Sequence, residues 1–566
     1  MRLSVKIPLA VAFITSVFRE PYHGQDVRSD VMAGLTVGIV AIPLSMALSI
    51  AIGLPPQHGL FTALVAGFFI ALLGGARLSV SGPTAAFIVI LQPIVLQYGL
   101  LGLLLATLMA GVMLVFMGVA RFGRLIEFIP SSVVLGFTAG IAVVIATLQI
   151  PDSLGLHFEE LPEFYLARLW TMLLALPQTQ WPALLITGIT LAVLILWRRL
   201  PTSIPPHLPA LLVGVFAAML LQQFGFAVET LADRFQFTLP DGTQGTGIPP
   251  FLPTFNWPWA GNLAGAAWLF ALARELLPFA FAIAMLGAIE SLLCAVVMDN
   301  MSGHRHDANA ELVGQGIGNM LVPFFGGITA TAALARSATN YRSGARTPIA
   351  AMTHALVVGA ALLWFAPWLG YLPMASMAAL LLMVAWQMSE RHHVVHLVKK
   401  APQGDIAVLI LCAVLTVLVD MVVAIFVGVV IAGFLFIQQV SVMTRVQDVS
   451  THPKHAPQGL PDGWAIFKIT GPIFFAAVDR VFTELRTMST GKRGVILYLD
   501  GVSVLDAGGL DGLAAFRQHC ARHGIELVLA DVQFQPLKAL VRAGVQPEDG
   551  KFMLTSTLAE AVERAT

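Results

Sequence analysis

Long runs without a single charge dominate the first three quarters of the chain. The stretch from Val31 to Ala76 holds no Lys, Arg, Asp or Glu. A bilayer crossing needs about 20 apolar residues at about 1.5 Å rise each, so this stretch alone predicts two spans. Further apolar segments fall at 83–97, 98–120, 131–149, 181–197, 207–223, 276–298, 311–325, 330–341, 347–368, 372–388, 404–420 and 421–441, which makes about fourteen in all. Segment 163–178 is short and polar at one edge, which predicts a helix lying in the outer interface rather than crossing. Residues 224–262, rich in Gly, Pro and Trp, read as an outer connector.

The pattern changes near residue 451. From there on, β-like stretches ("WAIFKITGPIFF", "GVILYLD", "IELVLADV") alternate with amphipathic ones ("AAVDRVFTELRTM", "GLDGLAAFRQHCARHG", "LAEAVERA"). That predicts a small soluble α/β domain at 462–566. The polar, Pro- and Gly-containing stretch before it suits a flexible linker at 444–461. A membrane part at 29–443 and a short N-terminal segment at 1–28 complete the division.

Composition agrees with a polytopic membrane protein: 57% of residues are hydrophobic, 11% are charged, and the mean hydropathy is +0.81. Over a third of the charges lie in the last fifth of the chain. A formal net charge of zero argues against nucleic-acid binding. Cys294, Cys412 and Cys520 are too few and too scattered for a disulfide framework. The N-terminus carries Arg2, Lys6, Arg19 and Arg28 without a cleavable signal pattern. Arg77, Arg121, Arg124, Arg198, Arg199, Arg305, Arg342, Arg346, Arg391, Lys399 and Lys400 collect in one set of loops, and only Arg168, Arg234 and Arg274 in the other. By the positive-inside rule both termini are cytoplasmic. No phosphate-binding Gly-x4-Gly-Lys loop is present, so nothing supports ATP-driven pumping. His392, His393 and His396 share helical spacing but lack a completing Cys or carboxylate, so no metal site and no cofactor is expected.

Within the apolar part, "LSVSGPTAAFIVI" (Leu78 to Ile90) breaks a helical pattern. Non-helical backbone at membrane depth survives only where protein or a water-filled cavity covers it. An extended "LSVSG" followed by a helix opening at Pro83 would leave the N–H groups near Thr84, Ala85 and Ala86 free for an anion. A second copy follows: Thr331-Ala332-Ala333 matches Thr84-Ala85-Ala86, and "AIESLLCA" (Ala288 to Ala295) matches "AIPLSMAL" (Ala41 to Leu48) at the same offset. Paired interrupted segments in two halves predict an inverted repeat, here about 29–223 and 274–443, with seven spans each and two half-helices facing one another. Glu290 is a carboxylate inside a predicted span, opposite Pro43 of the other repeat. Such a residue is costly in lipid, and beside an anion site it is a candidate proton carrier. The structural alternative is a permanent pair with Arg336 or a hydrogen bond to Gln315 or Asn319.

"PQHGLFTALVAGFFIALLGGARLSVSGPTA" (Pro56 to Ala85) resembles the signature of the sulfate permease (SulP) anion transporters related to prestin and pendrin, and the C-terminal domain resembles their STAS domain. "ARFGRLIEFIPSSVVLGFTAGI", "GAIESLLCAVVMD" and "ELVGQGIGNMLVPFFGGITATAALARSA" are most similar to the bacterial DauA-type C4-dicarboxylate transporters. The resemblance covers nearly the whole chain. It implies fourteen spans in a seven-plus-seven inverted repeat, a core moving against a gate, a homodimer, and residence in a bacterial inner membrane. It also implies an anion site at Pro83, Thr84, Ala85, Ala86, Thr331, Ala332 and Ala333, with Arg336 nearby. Where the family often carries Gln after the first-helix Pro, this chain has Leu44, so a polar contact from that helix would fall to Ser45 or Ser49. In the related anti-sigma antagonists a phosphorylatable Ser opens a helix. Here the loop reads "LDAGGL", with Ala507 and Gly508 in place of hydroxyls and Asp506 set to cap the helix.

These readings together point to proton-coupled uptake of C4-dicarboxylates such as succinate, fumarate or aspartate, with a cytoplasmic protein as a possible STAS partner. Sulfate or bicarbonate transport is the alternative substrate. An anion channel or a membrane-tethered regulator is the alternative class.

Overall fold

The computed structural model describes residues 9–123, 130–158, 162, 164–202, 204–238, 243–259, 265–419, 421–452, 454–455 and 459–565. Arg2 and Lys6 of the N-terminus, and Arg124 and the side chain of Arg198 among the loop charges, fall outside what is described.

Every predicted apolar segment contains a helix, although residues 83–84 and 330–333 are extended. In chain order the helices of nine residues or more among the described residues up to Met443 are α1 (Gly24–Ala51), α2 (Gln57–Leu73), α3 (Ile88–Val119), α4 (Ser131–Leu148), α5 (Tyr165–Ala175), α6 (Trp181–Leu196), α7 (His207–Gln223), α8 (Gly265–Ser302), α9 (Ala308–Leu321), α10 (Leu334–Arg342), α11 (Ile349–Trp364), α12 (Met374–Met388), α13 (Arg391–Lys400), α14 (Gln403–Leu418) and α15 (Met421–Met443). Segments 83–97 and 98–120 form one element broken at Gly99, whose φ of 66° interrupts α3. Five stretches, Gly24–Ala51, Ala85–Val119, Ser131–Leu148, Trp268–Ser302 and Val423–Met443, are by themselves long and apolar enough to cross a bilayer. The segment expected in the interface is α5, which with its terminal turn meets α6 at 109°.

Small residues set the helix contacts, as van der Waals packing in lipid requires. A Cβ added at Gly34 of α1 would lie 2.4 Å from the Ala350 carbonyl oxygen of α11, so the two backbones touch there. The outer connector is less loose than its composition suggests. Phe255 stacks on Phe324 with ring centroids 5.6 Å apart, and the Asn256 N–H donates to the Phe324 carbonyl at 2.8 Å. Residues 239–242 and 260–264 of it lie outside the described set.

The chain divides into two compact units, 1–429 and 430–566. The first contains the short strands β1 (Ser81–Gly82) and β2 (Thr331–Ala332); in the second, five strands run β3 (Arg445–Asp448), β4 (Trp464–Thr470), β5 (Gly494–Gly501), β6 (Glu526–Ala530) and β7 (Phe552–Thr555) in sheet order, the first pair antiparallel and the rest parallel. Alternate residues of β4 enter opposite cores: Phe467 packs with Phe482 and Phe516, and Ile466 with Leu558 and Ala561. A sheet covered on both faces reads as a continuous apolar run, which is why "GVILYLD" shows no alternation. Asp506 caps the helix Ala507–Arg522 by accepting from the Gly509 N–H at 2.8 Å.

Two boundaries move. Residues 445–448, expected in the linker at 444–461, form β3: Val446 is buried, and the strand covers an edge of β4 that would otherwise present unpaired N–H and C=O groups. Residues 24–28, expected in the N-terminal segment, already belong to α1. The part before them is anchored, with the Ala10 N–H donating to the Leu73 carbonyl and Glu20 paired with Arg77.

Candidate anion site

The two interrupted segments meet. Ser81–Gly82 and Thr331–Ala332 form a two-residue antiparallel ladder, pairing Ser81 with Ala332 and Gly82 with Thr331. Because the pair is antiparallel, the chain leaves it in opposite directions, and each exit runs into a helix N-terminus within three residues. On the first side a 3-10 turn at Ala85–Phe87 leads into α3. The helix thus begins two residues later than Pro83, because Thr84 stays extended at φ −127° and ψ 153°. On the second side Ala333 is extended and α10 follows.

Neither terminus is capped by a side chain. Ala333 has no group to offer, and the Thr84 hydroxyl, which could cap its own helix, donates instead to Glu290 Oε2 at 3.1 Å. Free N–H groups at a helix start, with the positive end of the helix dipole behind them, attract anions. Arg336 adds a full charge. It is 6% exposed, its Nη2 donates to the Pro83 carbonyl at 2.6 Å, and its Nη1 is buried with no hydrogen-bond partner. The guanidinium can lie across the ladder only because position 82 is Gly: a Cβ there would sit 2.8 Å from Nη1. No cation lies within 4.0 Å of Glu290 among the described residues, so the permanent ion pair with Arg336 is not formed. Gln315 and Asn319 bond elsewhere, to Ser81 and Ala330.

These groups face a cavity of about 1680 Å³. Pro83, Thr84, Ala85, Ala86, Glu290, Ala332, Ala333 and Arg336 all line it. Ser45 and Thr331 do not. Ser45 is fully buried on the side of α1 that meets α2, where a Cβ on Gly59 would lie 1.9 Å from the Ser45 carbonyl; one residue's turn of the helix puts Leu44 on the cavity instead. Ser49 is likewise turned away, bonding the Pro55 carbonyl at 2.7 Å. The Thr331 hydroxyl is consumed by Ser291 at 2.7 Å and the Gly287 carbonyl at 3.1 Å, so it braces the ladder from α8. Sequence reasoning passed over Phe137 and Thr138 of α4 and Gln387 of α12, which form the facing wall. A Thr and a Gln in otherwise apolar segments were the available signal. Arg342, His393 and Lys400 also line the cavity. Among the described residues no group of three or more His, Cys, Asp or Glu side chains could hold a metal ion.

The profile described as the sulfate permease family matches residues 27–414, and the STAS domain profile matches 459–561. The chain belongs to the sulfate permease family. The putative sulfate transporter YvdB of Bacillus subtilis is 38% identical over 531 residues, covering 94% of this chain and 96% of that protein. The bicarbonate transporter BicA of a Picosynechococcus strain is 28% identical, covering 82% of each. The solved transmembrane domain of a cyanobacterial BicA superposes with a TM-score of 0.60 at 26% identity, over 71% of this chain and 98% of that one. Murine Slc26a9, described in the inward-facing state, gives 0.83 over 98% of this chain and 94% of that one; at 17% identity it speaks for the fold alone. As a sulfate permease family member the chain is an anion transporter with a C-terminal STAS domain, and not an enzyme.

Proposed function

We propose that this family member is a secondary active transporter that carries a divalent anion together with a proton by alternating access, with C4-dicarboxylates as the substrate class. The observation that carries the reading is the charge arrangement at the ladder. Two uncapped helix ends, each worth roughly half a positive charge, and the free Nη1 of Arg336 converge on one cavity that also holds the carboxylate of Glu290. With Glu290 ionised, its charge opposes an incoming anion and its oxygen occupies the Thr84 hydroxyl. With Glu290 protonated, about two positive charges remain to balance a dianion, and the Thr84 hydroxyl is free to turn toward it. Proton and substrate then favour each other's binding, which is the condition for symport.

The apolar wall formed by Leu44, Phe137 and Leu48 suits a substrate with a hydrocarbon middle. A second reading, sulfate, is favoured by the name of the Bacillus subtilis relative. Arg342 and Lys400 are among the charges that the positive-inside rule assigns to the cytoplasm, so on that topology the cavity opens inward. The proposal includes a bacterial inner membrane, cytoplasmic termini and a homodimer, with the STAS domain supporting assembly or gating. The test is a substrate panel of succinate, fumarate, sulfate and bicarbonate in proteoliposomes under an imposed pH gradient. Accumulation of a dicarboxylate that collapses when the gradient is dissipated supports the reading. Saturable sulfate uptake alone selects the second, and flux with neither saturation nor gradient dependence refutes both.

A further inference from the structure

The ladder is not held by its own four backbone residues. One face of α9 carries Glu311, Gln315 and Asn319, four residues apart and each at most 1% exposed. At the first position Glu311 Oε2 accepts from the N–H groups of Gly75 and Ala76 at 3.0 and 2.9 Å, which lead into the first strand of the ladder. At the second, Gln315 Nε2 donates to Ser81 Oγ at 2.9 Å and to Glu311 Oε1 at 3.0 Å. At the third, Asn319 acts as a strand: its Oδ1 accepts from the Ala330 N–H and its Nδ2 donates to the Ala330 carbonyl, both at 2.8 Å. The first two residues hold the approach to one anion-binding helix, and the third holds the approach to the other. The helix itself is seated without play. A Cβ at Gly314 would lie 2.5 Å from Gly74 Cα, and one at Gly316 would lie 2.6 Å from the Gly111 carbonyl of α3.

We infer that α9 sets the spacing between the two helix ends, and that Gln315 and Asn319 are therefore positioning residues for anion selectivity although neither lines the cavity. Anions of different size are told apart by the distance between converging donors, and a tolerance of about 0.5 Å decides whether such a site discriminates. A helix is stiff over two turns, whereas a two-residue ladder alone is free to slip or splay. Removing the Asn319 carboxamide leaves both polar groups of Ala330 unpaired in a dry environment, so the second helix end gains freedom to move. The consequence is broader selectivity as well as weaker binding.

This inference rests on the reading of the ladder cavity as the anion site, and the test separates the two. In full-length protein reconstituted in proteoliposomes, Asn319→Ala, Asn319→Asp and Gln315→Met are compared with wild type by the apparent KM for sulfate and for succinate. Asn319→Asp keeps the acceptor for the Ala330 N–H but sets a charged oxygen against the Ala330 carbonyl; Gln315→Met, neutral and close in volume, therefore carries the test if the Asn319 variants fail to fold. The expected result is a KM raised about tenfold or more in the Asn319 variants and less in Gln315→Met, with the ratio of the two KM values moving toward one while kcat changes little. Unchanged KM ratios in monodisperse variants overturn the inference, as does a loss confined to kcat. As the control on the site, Ala85→Leu combined with Ala332→Leu fills the cavity beside both helix ends. If that double variant keeps wild-type affinity, the site reading fails whatever α9 does.

Discussion

Replacing Arg336 gives the most direct measure of how much of the attraction in the cavity is full charge and how much is backbone dipole. The guanidinium makes one bond inside the protein, from Nη2 to the Pro83 carbonyl at 2.6 Å, and leaves Nη1 unpartnered at the cavity. A hydrogen bond to a charged group nets about 1.5–3 kcal/mol, which corresponds to about 10- to 150-fold in affinity. Beyond that, two unit charges about 4 Å apart interact by about 1 kcal/mol at the dielectric of a water-filled cavity, about 80, and the interaction energy is doubled for a dianion. Arg336→Gln should therefore raise the apparent dissociation constant of both ligands at least about tenfold through the lost hydrogen bond, and that of a dianion about fivefold more than that of a monoanion through the lost charge. Loss of the tie to Pro83 disturbs the first helix end equally for both ligands, so the ratio of the two effects isolates the charge. Arg336→Lys, which keeps the charge and loses the fork, should recover most of the dianion preference. The assay is equilibrium binding of a mono- and a divalent anion to detergent-purified protein, with each variant checked for monodispersity. Equal losses for both anions, or unchanged binding of both, would refute the reasoning.

Glu290→Gln fixes a neutral side chain beside Thr84; it should abolish accumulation driven by an acid-outside gradient while leaving binding measurable, and full accumulation by this variant would rule out the proton role. Removing residues 444–566 should leave anion affinity within about threefold of wild type, since all the site residues lie in the first unit, and a folded truncated protein that no longer binds would contradict that division. The cut belongs at 444 rather than 452, because a later one strands β3 without its partner. In the STAS domain, burial pushes the Cys520 thiol up to about 12. At pH 8 almost none of it is thiolate, so it should resist maleimide in the native protein and react only once denaturant opens the domain; rapid native labelling at Cys520, read by peptide mapping, would be the contrary result.

Much of the architecture was legible from the chain alone because its causes are local. Apolar runs of about twenty residues have one stable state in lipid, and each one found by pattern contains a helix here. The switch to strand periods after residue 451 is equally local. So is the break at 78–90, since Gly82, Pro83 and extended Thr84 oppose a helix by their own backbone preferences. The echo of Thr84-Ala85-Ala86 in Thr331-Ala332-Ala333 pointed to two interrupted segments that the fold does bring together, although the residues that pair on the first side are Ser81 and Gly82 rather than the echoed ones.

What the chain alone left open depends on which way a side chain turns and on what it finds there. A helix rotates about 100° per residue, so whether Leu44 or Ser45 reaches the cavity is settled by how α1 packs on α2 through Gly59. Thr331 carries the same residue type as Thr84, yet its hydroxyl is taken by Ser291 and Gly287 while that of Thr84 meets Glu290. Residues 445–448 look like linker until an exposed strand edge comes beside them. Glu311, Gln315 and Asn319 read as isolated polar residues at the start of an apolar segment. Their shared role exists only once the two repeats fold against one helix, because a hydrogen bond over some 230 residues of chain is decided by tertiary packing and by nothing local in the sequence.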